Sequence, residues 1–557
     1  MTGAGRLAAC ALAAGLAAAA APAGPLTAAG RGLTRGDLVG RAYDAILDAR
    51  TEPIDPLLAE TCPPAPEQAC RVLRAAALWW QILQDWDDRS HDAQLLTLAN
   101  ETIAATDAWV TREPRRAEAW FYLGAAYAVR LQWRGQRGDR LTAARDGKRV
   151  KDALERAIAL EPGLDDAYFG VGLYQYYADI MPSVLKILRW LLLLPGGDRE
   201  KGLGMMLRTR EAGEVLRGEA DFQLHQIYLW YENRPDRALE LLGGLRTRYP
   251  HNPIFLRLTA ETHDLYLHDP AASLELYREL AALGDRGEVG WPAIAAMQGR
   301  LGAAEQYLAL EEADRTIDLA RQVIARWPAA PHAAAARAHW LAGRAEDLLG
   351  HRERALESYR AAIASTPADD PSDLRGRARR AIGRAPDARR AEARRLSLEG
   401  WRAIERGQLA EAGGPLSRAV AINPGDPVAR FRLGSLFAAR GEAGAALAEF
   451  ERVITARPAA AGVTLADACY EAARLHDAAG NHARAVELFR QAASTRGARA
   501  TTRERAAEAM APIKQAAGSW PSAISCQLSA ISQRLGSVRS RRASAPREPA
   551  RSRLTGR

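Results

Sequence analysis

Five positions recur at fixed offsets in three windows of this chain, and no other feature restricts its folding as tightly. Gly343, Ala355, Tyr359, Ala362 and Pro367 stand at offsets 0, 12, 16, 19 and 24. Gly400, Ala412, Leu416, Ala419 and Pro424 repeat them, as do Gly434, Ala446, Phe450, Val453 and Pro458, and the last two windows begin 34 residues apart. The logic of the spacing is steric. Small residues at the Gly and Ala positions let two antiparallel helices approach closely. The large residue fills the space between neighbouring hairpins, and proline ends the second helix because it has no amide hydrogen to donate. Alanine matches are cheap in an alanine-rich chain; the joint glycine, large-residue and proline matches carry the inference.

This pattern resembles the tetratricopeptide repeat, in which an aromatic residue, Leu-Gly and Tyr lie on one helix, and Ala, an aromatic residue and a closing Pro on the next. The resemblance implies an all-α fold, a right-handed superhelical solenoid of antiparallel helix pairs. Fainter copies extend it. Trp120, Leu123, Gly124 and Tyr127 reproduce the first-helix signature, but the second helix, closing at Pro162, arrives 14 residues late. That delay predicts an inserted loop or a helix extension around 131–147. Tyr168, Val171 and Gly172 open the next hairpin. Ala238, Leu242, Leu245 and Pro250 fit a second helix, and Phe255, Leu258, Ser273 and Tyr277 fit with one residue slipped. Leu301-Gly302 leads to Pro328, and Ala473, Ala485, Phe489 and Ala492 make a last pair. Repeats thus occupy 115–367 and 396–493. The region 33–111 has helical apolar spacing without the signature, as a cap would. Between the arrays, 368–395 is rich in arginine and proline and reads as either a linker or a solvated helix.

The two ends read differently. Residues 1–23 carry one early Arg6, an uncharged run from Leu7 to Ala21 and small residues suited to cleavage, which is the layout of a secretory signal peptide. An exported, periplasmic or envelope-associated protein is expected. Leu7-Ala8-Ala9-Cys10 matches a bacterial lipid-attachment box, but almost no apolar run precedes Cys10, so this Cys is expected to leave with the leader. Residues 518–557 read as a disordered basic tail. The formal charge of +9 looks like an invitation to nucleic acid, yet 534–557 and 374–395 carry +7 each, leaving the rest of the chain net negative. A generally basic surface is excluded, and no nucleic-acid partner is expected.

The repeat does not explain 180–194, a strongly apolar stretch between Pro182 and Pro195. It is too short to cross about 30 Å of hydrocarbon. It reads either as a core helix or as a helix lying in a membrane interface, with Leu188, Trp190, Leu191 and Leu192 buried in lipid. Pro182, Leu185, Leu188, Gly197, Asp198, Arg199, Gly202 and Leu203 are similar to a segment of the tetratricopeptide-39 proteins and their yeast mitochondrial outer-membrane relative, a kinship that implies no function.

Motifs of known chemistry are missing from the sequence: no phosphate-binding loop, nucleophile elbow, metalloprotease helix or paired-cysteine zinc motif occurs. His263 and His268, five residues apart, diverge by about 140° around a helix and do not make a metal site. No reaction, cofactor, metal or small-molecule substrate is therefore expected. Cys62 and Cys70 bracket a short loop with three prolines. They are either a disulfide, worth about 2.5 kcal/mol by loop closure, or two unpaired thiols.

Carrying the inner-face positions of the tetratricopeptide resemblance onto this chain points to Phe121, Phe169, Leu173, Tyr177, Trp401 and Phe431 as the wall of a partner-binding groove, each with inter-repeat core as its alternative. The expectation is a non-enzymatic scaffold of the cell envelope that binds other proteins through this groove. The alternatives are a peripheral membrane component docked through 180–194 and an enzyme with an unrecognised site.

Overall fold

The computed structural model describes residues 32–50, 54–180, 196–327, 333–456 and 462–517. Residues 1–23, the basic tail 518–557, Pro328, Pro458 and the candidate lipid or core residues Leu188, Trp190, Leu191 and Leu192 lie outside the described residues. Among the described residues the chain is all helix, with 24 α-helices and no strand. In chain order these begin with α1 (Gly36–Leu47), α2 (Ile54–Thr61), α3 (Glu67–Gln84), α4 (Asp92–Arg112), α5 (Ala117–Gln136), α6 (Arg140–Leu160), α7 (Ala167–Ile180) and α8 (Arg199–Ala212). There follow α9 (Arg217–Trp230), α10 (Pro235–Arg248), α11 (Pro253–Leu265), α12 (Pro270–Arg286), α13 (Pro292–Ala309), α14 (Ala313–Arg326), α15 (Ala334–Leu348) and α16 (Arg352–Ser365). The last eight are α17 (Leu374–Ile382), α18 (Ala388–Glu405), α19 (Leu409–Ile422), α20 (Pro427–Ala439), α21 (Ala443–Thr455), α22 (Gly462–Ala478), α23 (His482–Ser494) and α24 (Ala500–Ala517).

Two compact units divide this chain. The first takes its residues from Met1–Ile46, Thr51–Trp79 and Asp92–Ala220; the second from Leu47–Arg50, Trp80–His91 and Asp221–Arg557. The arginine-rich stretch 368–395 lies wholly in the second unit, where it forms α17 and the start of α18. Leu374 and Ala378 of α17 are buried, and Ala378 packs on Ala355, Tyr359 and Ala362.

Several helices start at a proline, and some of these at a side-chain cap as well. Proline opens α10 to α13 and α20, where its missing amide costs nothing. Asn252, Asp269 and Asp426 precede three of these prolines and accept from the backbone amide of the second or third helical residue at 3.0–3.1 Å. Successive helices then pack as antiparallel pairs, among them α5 with α6, α15 with α16, α18 with α19, α20 with α21 and α22 with α23.

The glycine at offset 0 is needed for this contact. A Cβ on Gly343 would sit 2.5 Å from the Tyr359 ring, one on Gly400 2.5 Å from Leu416, and one on Gly434 2.7 Å from the Phe450 ring. The large residue therefore fills the space inside its own hairpin first; Phe450 then continues into the next, in one cluster with Cys469 and Phe489. Gly124 meets Leu154 in the same way, at 2.6 Å, despite the 14 extra residues. Those residues extend both helices: α5 has 20 residues and α6 21, against 13 each for α20 and α21. No long loop is inserted. The pair is fastened where it is extended, since Asp146, buried, accepts two hydrogen bonds from Arg130 at 2.7 and 2.9 Å and a third from Arg134 at 2.7 Å.

One repeat is anchored elsewhere than the sequence suggested. The small residue of the α13–α14 pair is Ala304, which with Thr316, Ala320 and Val323 is fully buried at the proper offsets. Gly302 makes room instead for Tyr277 of the preceding helix, 2.3 Å from its would-be Cβ. The same register locates the turn seven residues after offset 0. There Gly350, Gly407, Gly441 and Gly480 have φ between 75° and 79°, and Asn233, His268 and Glu311 hold the equivalent place in three earlier repeats with φ between 50° and 58°.

Two of those non-glycine turns face the C-terminal repeats. Arg394 of α18 reaches the Glu311 carboxylate at 3.2 Å, and a Cβ on Gly497 would lie 2.7 Å from the carbonyl oxygen of His268. Leu398 packs with Leu308, Ala313, Ile317, Ala345 and Leu349. Within the second unit, α18 thus packs directly against α14 and its preceding turn.

Candidate functional site

The junction between the 309–312 turn and the C-terminal repeats forms an open cavity of about 470 Å³, within the size range of ligand sites. Trp401 from α18 and Phe431 from α20 line it together, both half-buried, with ring centroids 6.2 Å apart. Phe431 in turn leans on Phe450, at 5.8 Å, so the pair is held by the hairpin core. Val428 and Val463 add apolar surface.

Charge of both signs rings the aromatic floor. Glu311, Asp426 and Asp467 contribute carboxylates; Arg390, Arg394, Arg432 and Arg499 contribute guanidiniums. Arg432 is buried, donates to Ser397 Oγ at 3.0 Å and to the Glu311 carbonyl at 3.3 Å, and lies 5.9 Å from the Trp401 ring centroid. Burial pulls its pKa below that of a free guanidinium, with Glu311 and Glu312 opposing. Burial and then the Asp426 carboxylate push Glu311 above the ordinary carboxylate range, against Arg394 and Arg432. Asp467 is raised by burial too, although Thr502 donates to it at 2.6 Å. Behind the cavity Arg402 bonds Asp314 at 2.7 and 2.8 Å, Glu405 at 2.8 Å and Glu312 at 3.0 Å. Burial works against its charge, yet these three carboxylates hold it well above the ordinary guanidinium value.

Sequence reasoning named Trp401 and Phe431, and the structure brings these two together. Phe121 and Phe169 it places in the core of the first unit, 3 % and 6 % exposed, which corrects their assignment to a groove wall. The reason is local cover. Thr34 bonds Glu118 at 2.8 Å and Trp109 stacks on Tyr122, so N-terminal elements close over α5; the Asp166 carboxylate binds the amides of Glu214, Val215 and Leu216, closing the start of α7. Leu173 and Tyr177, also in the first unit, are half-buried. The charged rim was missed. Its signal is Glu311 itself, a glutamate where four other repeats put glycine.

The Cys62 and Cys70 sulfurs are bonded, with Cα atoms 6.2 Å apart, and Cys469 is buried in the core of the last repeats. His263 lies in α11 and His268 in the turn after it; among the described residues no group of three or more His, Cys, Asp or Glu side chains is placed to hold a metal ion. Nor is any described helix long and apolar enough to cross a membrane.

The tetratricopeptide repeat family matches residues 466–497, which cover most of α22, all of α23 and the turn after it. No curated protein matches the sequence. Similar solved structures include YrrB, described as a TPR protein with an unusual peptide-binding site (19 % identity over 42 % of this chain and 97 % of that one, TM-score 0.19). Others are the TPR2AB domain of yeast Sti1 in complex with pHSP90 (13 %, 54 % and 96 %, TM-score 0.21) and the Cut9-Hcn1 hetero-tetramer of the APC/C (14 %, 86 % and 80 %, TM-score 0.24). The chain thus carries a tetratricopeptide repeat at 466–497, and earlier hairpins are closed by a glycine-to-large-residue contact of the same kind.

Proposed function

We propose that this chain is a non-enzymatic scaffold that holds a segment of a partner protein in the cavity of its second unit, with Trp401 and Phe431 as the anchors. The observation that carries this reading is the pair of half-buried rings, 6.2 Å apart, on the floor of a 470 Å³ cavity rimmed by both carboxylates and guanidiniums. Aromatic anchors bury much area for little lost rotamer entropy, and a rim of mixed charge fixes orientation and register. In the test, a photoreactive phenylalanine analogue at position 431 defines the partner in intact cells, and affinity for that partner is then measured. Trp401→Ala is expected to weaken it at least about tenfold, roughly 1.4 kcal/mol, with helicity and melting temperature kept. Undiminished affinity in both Trp401→Ala and Phe431→Ala would remove the cavity from consideration.

The scaffold works, on this proposal, outside the cytoplasm, in the periplasm or attached to the envelope. The leader-like residues 1–23 support that, as does the Cys62–Cys70 disulfide, a bond that persists in oxidising compartments. Mature protein recovered from the periplasmic fraction should begin after residue 21 or 23 and resist alkylation at Cys62 and Cys70. Cytoplasmic protein that retains its first 20 residues and takes up two labels would refute the location.

A further inference from the structure

We propose that Asp85–Ser90 is a tethered ligand: it occupies a groove formed within the second unit by α11, α13, α15 and the start of α17, and the partner segment which that groove accepts is non-helical, acidic and aromatic-bearing like the tether itself. This surface is separate from the Trp401 cavity and does not depend on the role proposed for it.

Residues 85–91 form no helix but begin in a turn, the Asp88 amide donating to the Asp85 carbonyl at 3.0 Å, and the last carbonyls of α3 just before them are held by side chains. The Arg257 guanidinium donates to the Leu83 carbonyl at 3.3 Å and the Gln298 amide to the Gln84 carbonyl at 2.5 Å. These two contacts fix the point at which α3 delivers the segment to the groove. The acidic side chains are then held by charge. Arg337 pairs with Asp87 and lies 3.8 Å from Asp85, Ser372 donates to Asp87 at 2.7 Å, and Arg89 reaches Asp369 at 3.0 Å. The Arg257 guanidinium stands 5.2 Å from the Trp86 ring centroid. Arg257, Gln298 and Arg337 come from the first helices of three successive pairs, four to six positions before offset 0 in each.

The tether does not fill its groove. Trp86 remains 36 % exposed, and beside it a cavity of about 240 Å³ is left between Tyr277, Leu301, Trp340, Leu341 and Arg377. A partner segment with a better-fitting aromatic residue would gain that space, while Asp85 and Asp87 of the tether against Arg337 set the charge it must carry, Arg257 being paired with Glu261 at 2.6 Å. Because a tethered segment competes at an effective concentration of about a millimolar, it excludes weaker ligands and admits those that beat it.

The experiment uses the full chain and a fluorescent synthetic peptide with the sequence of residues 83–91. Trp86→Ser combined with Asp87→Ala weakens the tether but leaves the groove intact. The peptide is expected to bind this variant at least about thirtyfold more tightly than the unsubstituted protein. Adding Arg337→Ala and Gln298→Ala should abolish that gain, and Trp401→Ala should leave it unchanged. Equal affinity for the unsubstituted and tether-weakened proteins would overturn the proposal, as would loss of binding in Trp401→Ala. Should the double variant melt early, hydrogen exchange on the unsubstituted protein decides: saturating peptide must speed exchange at 85–91 and slow it in α11 and α15. No change in either would also overturn the proposal.

Discussion

Gly434 and Gly441 lie in one repeat and are irreplaceable for different reasons. A Cβ on Gly434 would strike the Phe450 ring, whereas Gly441 has open space around it but a φ of +78°. Alanine at 434 gains about 1 kcal/mol of helix propensity and still loses to overpacking, for a net cost of about 1–3 kcal/mol. Phe450→Leu should relieve part of that cost. At 441 alanine costs about 1 kcal/mol through the backbone alone, and Asn should cost less because it tolerates the left-handed region. Urea titrations of the four variants check this; rescue of Gly441→Ala by Phe450→Leu would contradict it. A second prediction concerns His225, fully buried in α9 beside Phe222, whose pKa burial lowers to about 4. Its unfolded value is near 6.5, so the folded state prefers it neutral. The stability this contributes is complete above pH 6.5 and drains away as pH falls toward 4, about 3 kcal/mol in all. His225→Phe should flatten the melting temperature across that window, and an unaltered acid slope would rule the histidine out.

At the scale of the helix pair, the α5–α6 hairpin depends on one carboxylate. Asp146 neutralises Arg130 and Arg134, all three largely withdrawn from water. Asp146→Ala leaves two close guanidiniums without their shared partner, a loss of about 3 kcal/mol that hydrogen exchange should localise to the tip of this pair. The pair also shows what could be read in advance. Gly124, Leu154 and Pro162 fixed the two helices because packing at offset 0 leaves a sequence trace. Whether the 14 extra residues extended the helices or looped out was undetermined, since Arg130, Asp146 and Arg134 meet only across the finished hairpin. Trp401 and Phe431 were legible from repeat position. The carboxylates and guanidiniums around them were not, because they come from repeats far apart in sequence that α18 brings together. Phe121 occupies the same offset as Phe431, and only cover by N-terminal elements separates core from cavity wall.

On the scale of the whole molecule, Arg402 ties the C-terminal repeats to α14 within the second unit. Replacing it by Met keeps the packing volume but leaves Glu312, Asp314 and Glu405 without their common cation. A cost of about 3 kcal/mol is expected. If α18 is the fastening, limited proteolysis should then cut near residues 383–387 well before other turns. Uniform cutting would mean the repeats are held elsewhere. The two titrating carboxylates of the cavity act in the same place. Glu311 and Asp467 have raised pKa values, so the folded state takes up protons more readily there: the closed junction gains stability as pH falls through their folded values, and the gain is complete below their unfolded ones.

The 14 added residues of α5 and α6 carry a last implication, about how such chains change length. Seven residues are nearly two turns, so each rod grows by about 10 Å while its apolar stripe rotates only about 20°. Matched growth on both rods keeps knob facing hole; growth on one alone would strand its extra turns without a neighbour. Hairpins of this kind are therefore quantised rulers, and length variation among sequences that share them should come as paired heptads.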